Sequence, residues 1–116
     1  LTSEAVTIGG AKVLGAVVEL GDAAALREMA DQLKDKLAPA VVLLGSATAD
    51  GKAILACSVS KELTKKVQAG AIVKQAAAIV GGGGGGRPDF AQAGGTEPGK
   101  LAEAVTVARA VVEAAS

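Results

Sequence analysis

Val13-Leu14-Gly15-Ala16-Val17-Val18-Glu19-Leu20-Gly21-Asp22, followed by Leu26, Met29, Ala30, Leu33 and Leu37 and then by Pro39-Ala40-Val41-Val42-Leu43-Leu44, is the stretch from which the fold can be read. Val13 to Leu20 is almost continuously apolar, as a strand covered on both faces would be. Gly21-Asp22 closes it, and Asp22 is a good N-cap. The apolar residues from Leu26 to Leu37 recur at helical spacing, with Arg27, Glu28, Asp31, Lys34 and Asp35 on the other side. Pro39 stops that helix and Val41 opens a second buried strand. Strand, helix and strand in this order predict a βαβ crossover with parallel strands. Asp50-Gly51 lies between Val41–Ala47 and Ala53–Val59, so the next strand turns back antiparallel through a hairpin. The fold class is therefore α/β, a mixed sheet flanked by helices.

Outward from this core, Leu1 to Gly10 reads as a lead-in broken by Gly9-Gly10. On the C-terminal side, Ser60 is placed to cap a helix beginning at Lys61, on whose exposed side Lys61, Lys65 and Lys66 lie near one another. Ala69-Gly70 interrupts it, and Ile72, Ala76, Ile79 and Val80 resume a helical stripe with Lys74 and Gln75 outward. Phe90 to Ala93 predicts a short edge strand. Thr96 is expected to cap a last helix, with Pro98 in its first turn and Leu101, Ala104, Val105, Ala108, Val111 and Val112 as its buried stripe.

Between those elements runs Gly81-Gly82-Gly83-Gly84-Gly85-Gly86-Arg87-Pro88-Asp89. Gly81 sits where a helix C-cap glycine belongs. Six glycines together return no side-chain burial and lose the most backbone entropy on ordering. Their use is bare backbone: close approach of another molecule and unobstructed N–H donors, with Arg87 as a fixed charge at the end. A flexible linker is the competing interpretation. The compact apolar Phe90-Ala91-Gln92-Ala93 that follows, and the short remainder of the chain, argue for a functional loop on one domain spanning residues 1–116.

With 116 residues the chain is of single-domain size, and it begins without Met, which reads as a piece of a longer protein. Its 26 alanines and single aromatic, Phe90, predict tight helix-on-sheet packing and no deep apolar pocket. The 12 basic and 12 acidic residues cancel, so the domain as a whole carries no strong field towards nucleic acid or membrane. Locally, residues 61–100 hold Lys61, Lys65, Lys66, Lys74, Arg87 and Lys100 against Glu62, Asp89 and Glu97. Histidine is absent and Cys57 is the only cysteine, which removes the usual general base, the Ser-His and Cys-His dyads and a thiolate metal cluster. No apolar run reaches the roughly 18 residues of a membrane span. Glycines in unbroken series satisfy every glycine spacing, so a dinucleotide fingerprint carries no information here; the phosphate loop of nucleotide hydrolases is excluded because Arg87-Pro88 stands where Lys-Ser or Lys-Thr would be.

The run Gly81 to Gly95, Gly-Gly-Gly-Gly-Gly-Gly-Arg-Pro-Asp-Phe-Ala-Gln-Ala-Gly-Gly, resembles the signature near the end of alanyl-tRNA synthetases. Asp22 to Leu37, the Asp50-Gly51 hairpin and Ser60-Lys61-Glu62-Leu63-Thr64 resemble the same family, and the likeness covers most of residues 9–115. It implies the C-terminal globular, DHH-associated domain, a mixed sheet with helices, from a cytoplasmic alanine-tRNA ligase. The resemblance implies no catalysis in this piece; ATP, magnesium and zinc belong to other domains of such an enzyme. It implies that the domain binds the outer corner of tRNA(Ala), helps couple aminoacylation to editing, and works beside the upstream domains, with a homodimer in the full-length protein. The RNA-binding residues expected are Lys61, Lys65, Lys66, Lys74, Gly82, Gly83, Gly84, Gly85, Gly86, Arg87 and Gln92. Two alternatives remain: an interdomain or dimerisation module with incidental RNA contact, and the substrate grip of a nucleic-acid phosphoesterase, which the missing histidine weakens.

Overall fold

Strands that are apolar on both faces need a layer on each side of the sheet, and the chain supplies one helix below and two above. The computed structural model describes residues 6–8, 11–18, 22–37, 39–48, 50–65, 67–87 and 89–115. In chain order the elements are β1 (Val6–Ile8), β2 (Ala11–Val17), α1 (Ala23–Leu37), β3 (Ala40–Ala47), β4 (Ala53–Val59), α2 (Ala69–Ile79), β5 (Gly83–Gly86), β6 (Phe90–Gly95) and α3 (Leu101–Ala115). The six strands lie in the order β1-β2-β3-β4-β6-β5. β2 and β3 are parallel, as the crossover predicts, and β3 and β4 antiparallel, as the hairpin predicts; the remaining neighbouring pairs are antiparallel as well.

Alternate residues of the same strands feed two cores. Val41, Leu43, Leu55, Cys57 and Val59 face Ile72, Val73, Leu101 and Val105 of α2 and α3. Val42, Leu44 and Ala56 face Leu26 and Ala30 of α1. Asp22 caps α1 as predicted, its Oδ1 accepting from Ala24 N–H at 3.2 Å. Ser58, fully buried under α1, donates to Asp31 Oδ1 at 3.0 Å and so ties that helix to β4. The β3–β4 turn is as expected: Gly51 N–H donates to Thr48 O at 3.1 Å, and Gly51 takes φ +81°, a conformation open to glycine.

Four local expectations give way to tertiary structure. Ser60 does not cap a helix; its Oγ accepts from buried Ala40 N–H at 2.9 Å, and only a short 3-10 turn, Lys61–Leu63, follows. Gly70 does not interrupt a helix but lies in the first turn of α2, where a Cβ would stand 3.3 Å from Gly86 O, so glycine there allows α2 to press on β5. The final helix begins as a 3-10 turn at Pro98–Lys100, and Thr96 supplies no side-chain cap; Thr96 and Glu97 N–H both donate to Val80 O at 2.9 Å. Phe90–Gly95 is a strand but an interior one, because the glycine run adds β5 outside it.

Candidate nucleic-acid interface

The glycine run is therefore a strand and not a loop. Gly81 caps α2 with φ +73°, and Gly82 N–H donates back to Ala77 O at 2.9 Å, closing the helix in a Schellman arrangement. Gly83 to Gly86 then pair with Gly94, Ala93, Gln92 and Ala91 of β6, and Arg87 N–H extends the ladder to Phe90 O at 2.9 Å. Antiparallel alternation makes Gly83 and Gly85 exchange bonds with β6 and turns the N–H and C=O of Gly84 and Gly86 away from it.

The six glycines divide by parity. A side chain at Gly84 would overlap Ala93 and stand 2.5 Å from Gln92 O; one at Gly86 would stand 2.7 Å from Phe90 O; one at Gly82 would overlap the Gly94 carbonyl. Packing therefore requires glycine at all three. At Gly83 and Gly85 a Cβ would meet nothing within 4 Å, and at Gly94 it would meet only Ala53 O at 3.4 Å. These three share the α1 side of the sheet, since Gly94 pairs with both Gly83 and Ile54, and Ile54 packs under α1. They form a side-chain-free terrace that the fold itself does not demand.

Arg87 stands at one end of this terrace, its side chain 72% exposed, with Nε 3.7 Å from Asp89 Oδ1. A surface pair of this kind contributes little stability and leaves the guanidinium accessible to a phosphate. Gln92 lies beside Gly85, its Nε2 donating to Ala23 O at 3.3 Å, which fixes the side chain and leaves its Oε1 as an acceptor. Lys61 and Lys65 are exposed at the β4–α2 junction, at the same end of the sheet as Arg87, because Val59 N–H donates to Asp89 O. Lys74 is exposed on α2, on the other layer, so the structure separates it from Gln92. Lys66 lies outside the described residues. The sequence did not single out Arg27, whose guanidinium sits over the Phe90 ring, 4.7 Å from its centroid. Its position on an exposed helix face gave no signal that β6 would pass beneath it. Phe90 is thereby covered on that face and packed into the α1-side core, so it offers no stacking platform there.

At the opposite end, the hairpin and the close of β6 enclose an open cleft of about 410 Å³, lined in part by Asp50, Lys52, Ile54, Gly82, Gly94 and Thr96. Asp50 accepts from the Thr48 hydroxyl, and this bond first, then a backbone N–H and the Lys52 charge, hold its carboxyl below the usual range. Cys57 is wholly buried, which pushes its thiol far above the usual range and away from nucleophilic chemistry. Among the described residues no group of three His, Cys, Asp or Glu could hold a metal ion. No described helix is long and apolar enough to cross a membrane.

The DHHA1 domain family matches residues 10–114. The chain belongs to that family. The DHHA1 fold here superposes on the C-Ala domain of Aquifex aeolicus alanyl-tRNA synthetase with TM-score 0.85 and 32% identity, covering 94% of this chain and 97% of that one. The alanine-tRNA ligase of Aromatoleum aromaticum is 51% identical over 114 residues, 98% of this chain and 13% of the ligase. That of Anaeromyxobacter dehalogenans is 55% identical over 105 residues, 90% of this chain and 11% of the ligase. The resemblance read from Gly81 to Gly95 therefore holds: this DHHA1 domain is of the C-Ala kind, and it spans only about an eighth of the length of such ligases.

Proposed function

We propose that this domain is a non-catalytic tRNA-binding module of an alanine-tRNA ligase. It meets the outer corner of tRNA(Ala) and helps aminoacylation and editing, carried by upstream domains that use ATP, magnesium and zinc, to act on one bound tRNA. The observation that carries this reading is the terrace of Gly83, Gly85 and Gly94, glycines without a packing reason beside an accessible Arg87. Bare backbone lets a folded RNA approach within the space a side chain would fill, while Arg87, Lys61 and Lys65 meet phosphates. Lys74, on the far layer, contributes only if the RNA wraps the sheet edge. With a handful of phosphate contacts and no net charge, the isolated domain binds weakly, and tethering to the rest of the enzyme supplies the missing strength.

Arg87→Ala and Gly85→Ala test this reading by fluorescence anisotropy with tRNA(Ala). Both should weaken binding several-fold without lowering the melting temperature; unchanged affinity in both would refute it. β5 is the outermost described strand at its end of the sheet, which favours one other reading, an interface with a second copy or a neighbouring domain. That reading predicts concentration-dependent sedimentation that neither substitution couples to RNA.

A further inference from the structure

We propose that the cleft between the β3–β4 hairpin and the end of β6 binds a single ribonucleotide, with Asp50 accepting from ribose hydroxyls and Lys52 meeting the phosphate. The inference rests on the reading of the adjoining terrace as an RNA surface, which it extends by a defined subsite. The volume, about 410 Å³, lies within the roughly 300–1,000 Å³ of small-ligand sites.

Its walls suit a flat, amphipathic ligand. Gly81-Gly82 and Gly94-Gly95 present peptide planes without side chains, and Ile54 supplies the apolar floor. The polar groups gather on the hairpin and at Thr96. The hairpin is organised in advance: Thr48 N–H donates to Lys52 O at 2.8 Å, Lys52 N–H donates to Thr48 Oγ1 at 3.0 Å, and the Thr48 hydroxyl holds Asp50 Oδ1. An ionised carboxylate is acceptor-only, with about four lone-pair sites on its two oxygens, so beyond the Thr48 hydroxyl and one backbone N–H the Asp50 carboxylate keeps acceptor capacity. A ribose offers it hydroxyl donors, of which deoxyribose lacks the 2′ one. One cation beside one anion matches the phosphate and the sugar of a single nucleotide better than it matches a run of phosphates.

Continuity selects the occupant. Gly94 belongs both to the cleft and to the terrace, pairing with Gly83, so an RNA strand lying along Gly85 and Gly83 reaches the cleft without leaving the surface. Gly94 is also a glycine that the fold leaves room to replace, its Cβ position being 3.4 Å from Ala53 O. An occupant in the cleft accounts for its absence of a side chain.

The test is an amide-shift titration of the ¹⁵N-labelled domain with AMP, GMP, CMP and UMP and with their 2′-deoxy counterparts. At least one ribonucleotide should give saturable shifts centred on Lys52, Gly82 and Gly94, with the deoxy form about three- to tenfold weaker. Asp50→Asn should abolish the ribose preference, and Gly94→Val should block binding. Should Gly94→Val disturb the sheet, the ribose preference of the native domain and its loss in Asp50→Asn decide alone. Shifts that are absent, or equal for ribo and deoxy forms, overturn the proposal. If tRNA perturbs Gly83 and Gly85 while the mononucleotides leave the cleft silent, the cleft assignment fails and the terrace reading stands. If tRNA perturbs nothing while a ribonucleotide saturates the cleft, the cleft assignment stands and the terrace reading fails.

Discussion

Gly84→Ala and Gly85→Ala, neighbours in one strand, should have opposite effects on stability. At Gly84 the new methyl would overlap Ala93 and crowd Gln92 O, backbone and near-backbone atoms of β6 that have no rotamer by which to yield. Overpacking of this kind costs about 1–3 kcal/mol, and a clash with backbone belongs at the upper end. At Gly85 the methyl meets nothing within 4 Å and the backbone is not in the left-handed region, so the substitution chiefly restricts the unfolded chain. That stabilises by about 0.4–1 kcal/mol. The pair should therefore differ by about 2–4 kcal/mol, which at about 4 °C per kcal/mol for a domain of this size separates their melting temperatures by roughly 8–16 °C. Thermal unfolding followed by circular dichroism, with urea titration as a second measure, reads the difference. Equal shifts, or a larger loss in Gly85→Ala, would refute the parity of the glycine strand and with it the case that Gly83 and Gly85 are kept bare for a partner.

Other consequences are as specific. Ser60→Ala removes the acceptor for Ala40 N–H in a buried setting and should cost about 1–3 kcal/mol in urea unfolding, whereas loss of an exposed helix cap would be invisible to exchange at Ala40. Thr48→Val should raise the Asp50 pKa towards its ordinary value, as followed by carboxyl chemical shift. Because the folded value lies below the unfolded one, the hairpin's contribution is present above the unfolded value and is lost as pH falls through the folded one; in Thr48→Val that acid-side loss should shrink. Cys57 should resist a thiol reagent at pH 8 in the native domain and react promptly in denaturant; reaction at equal rates would contradict its burial.

The parts of the fold legible in the sequence are those decided locally. Asp50-Gly51 set the β3–β4 hairpin within a residue because turn chemistry fixes the register there. Asp22 and the stripe from Leu26 to Leu37 gave α1 for the same reason. The glycine run was not legible as a strand, since glycine has no strand preference; it is ordered by β6 on one side and by α2 above it, pressed close through Gly70. Ser60 looked like a cap because a cap is judged from four neighbouring residues, whereas its partner Ala40 lies 20 residues away. The candidate site was legible in the sequence as a group of residues and not as an arrangement. Arg87 and the glycines adjoin in the sequence, but which glycines have open space beside them, the cover of Arg27 on Phe90, and the placing of Lys74 on the far layer depend on tertiary packing that spacing does not reveal.

The most direct test of tRNA binding by this domain is a salt-dependent titration with complete tRNA(Ala), compared with the same tRNA cut to its acceptor stem. Binding should be tighter to the full L-shape, with log K falling against log salt at a slope of about −3 to −4, as a few phosphate contacts require. Equal binding to both RNAs, or none to either, would contradict it and leave the glycine terrace as a contact between protein surfaces.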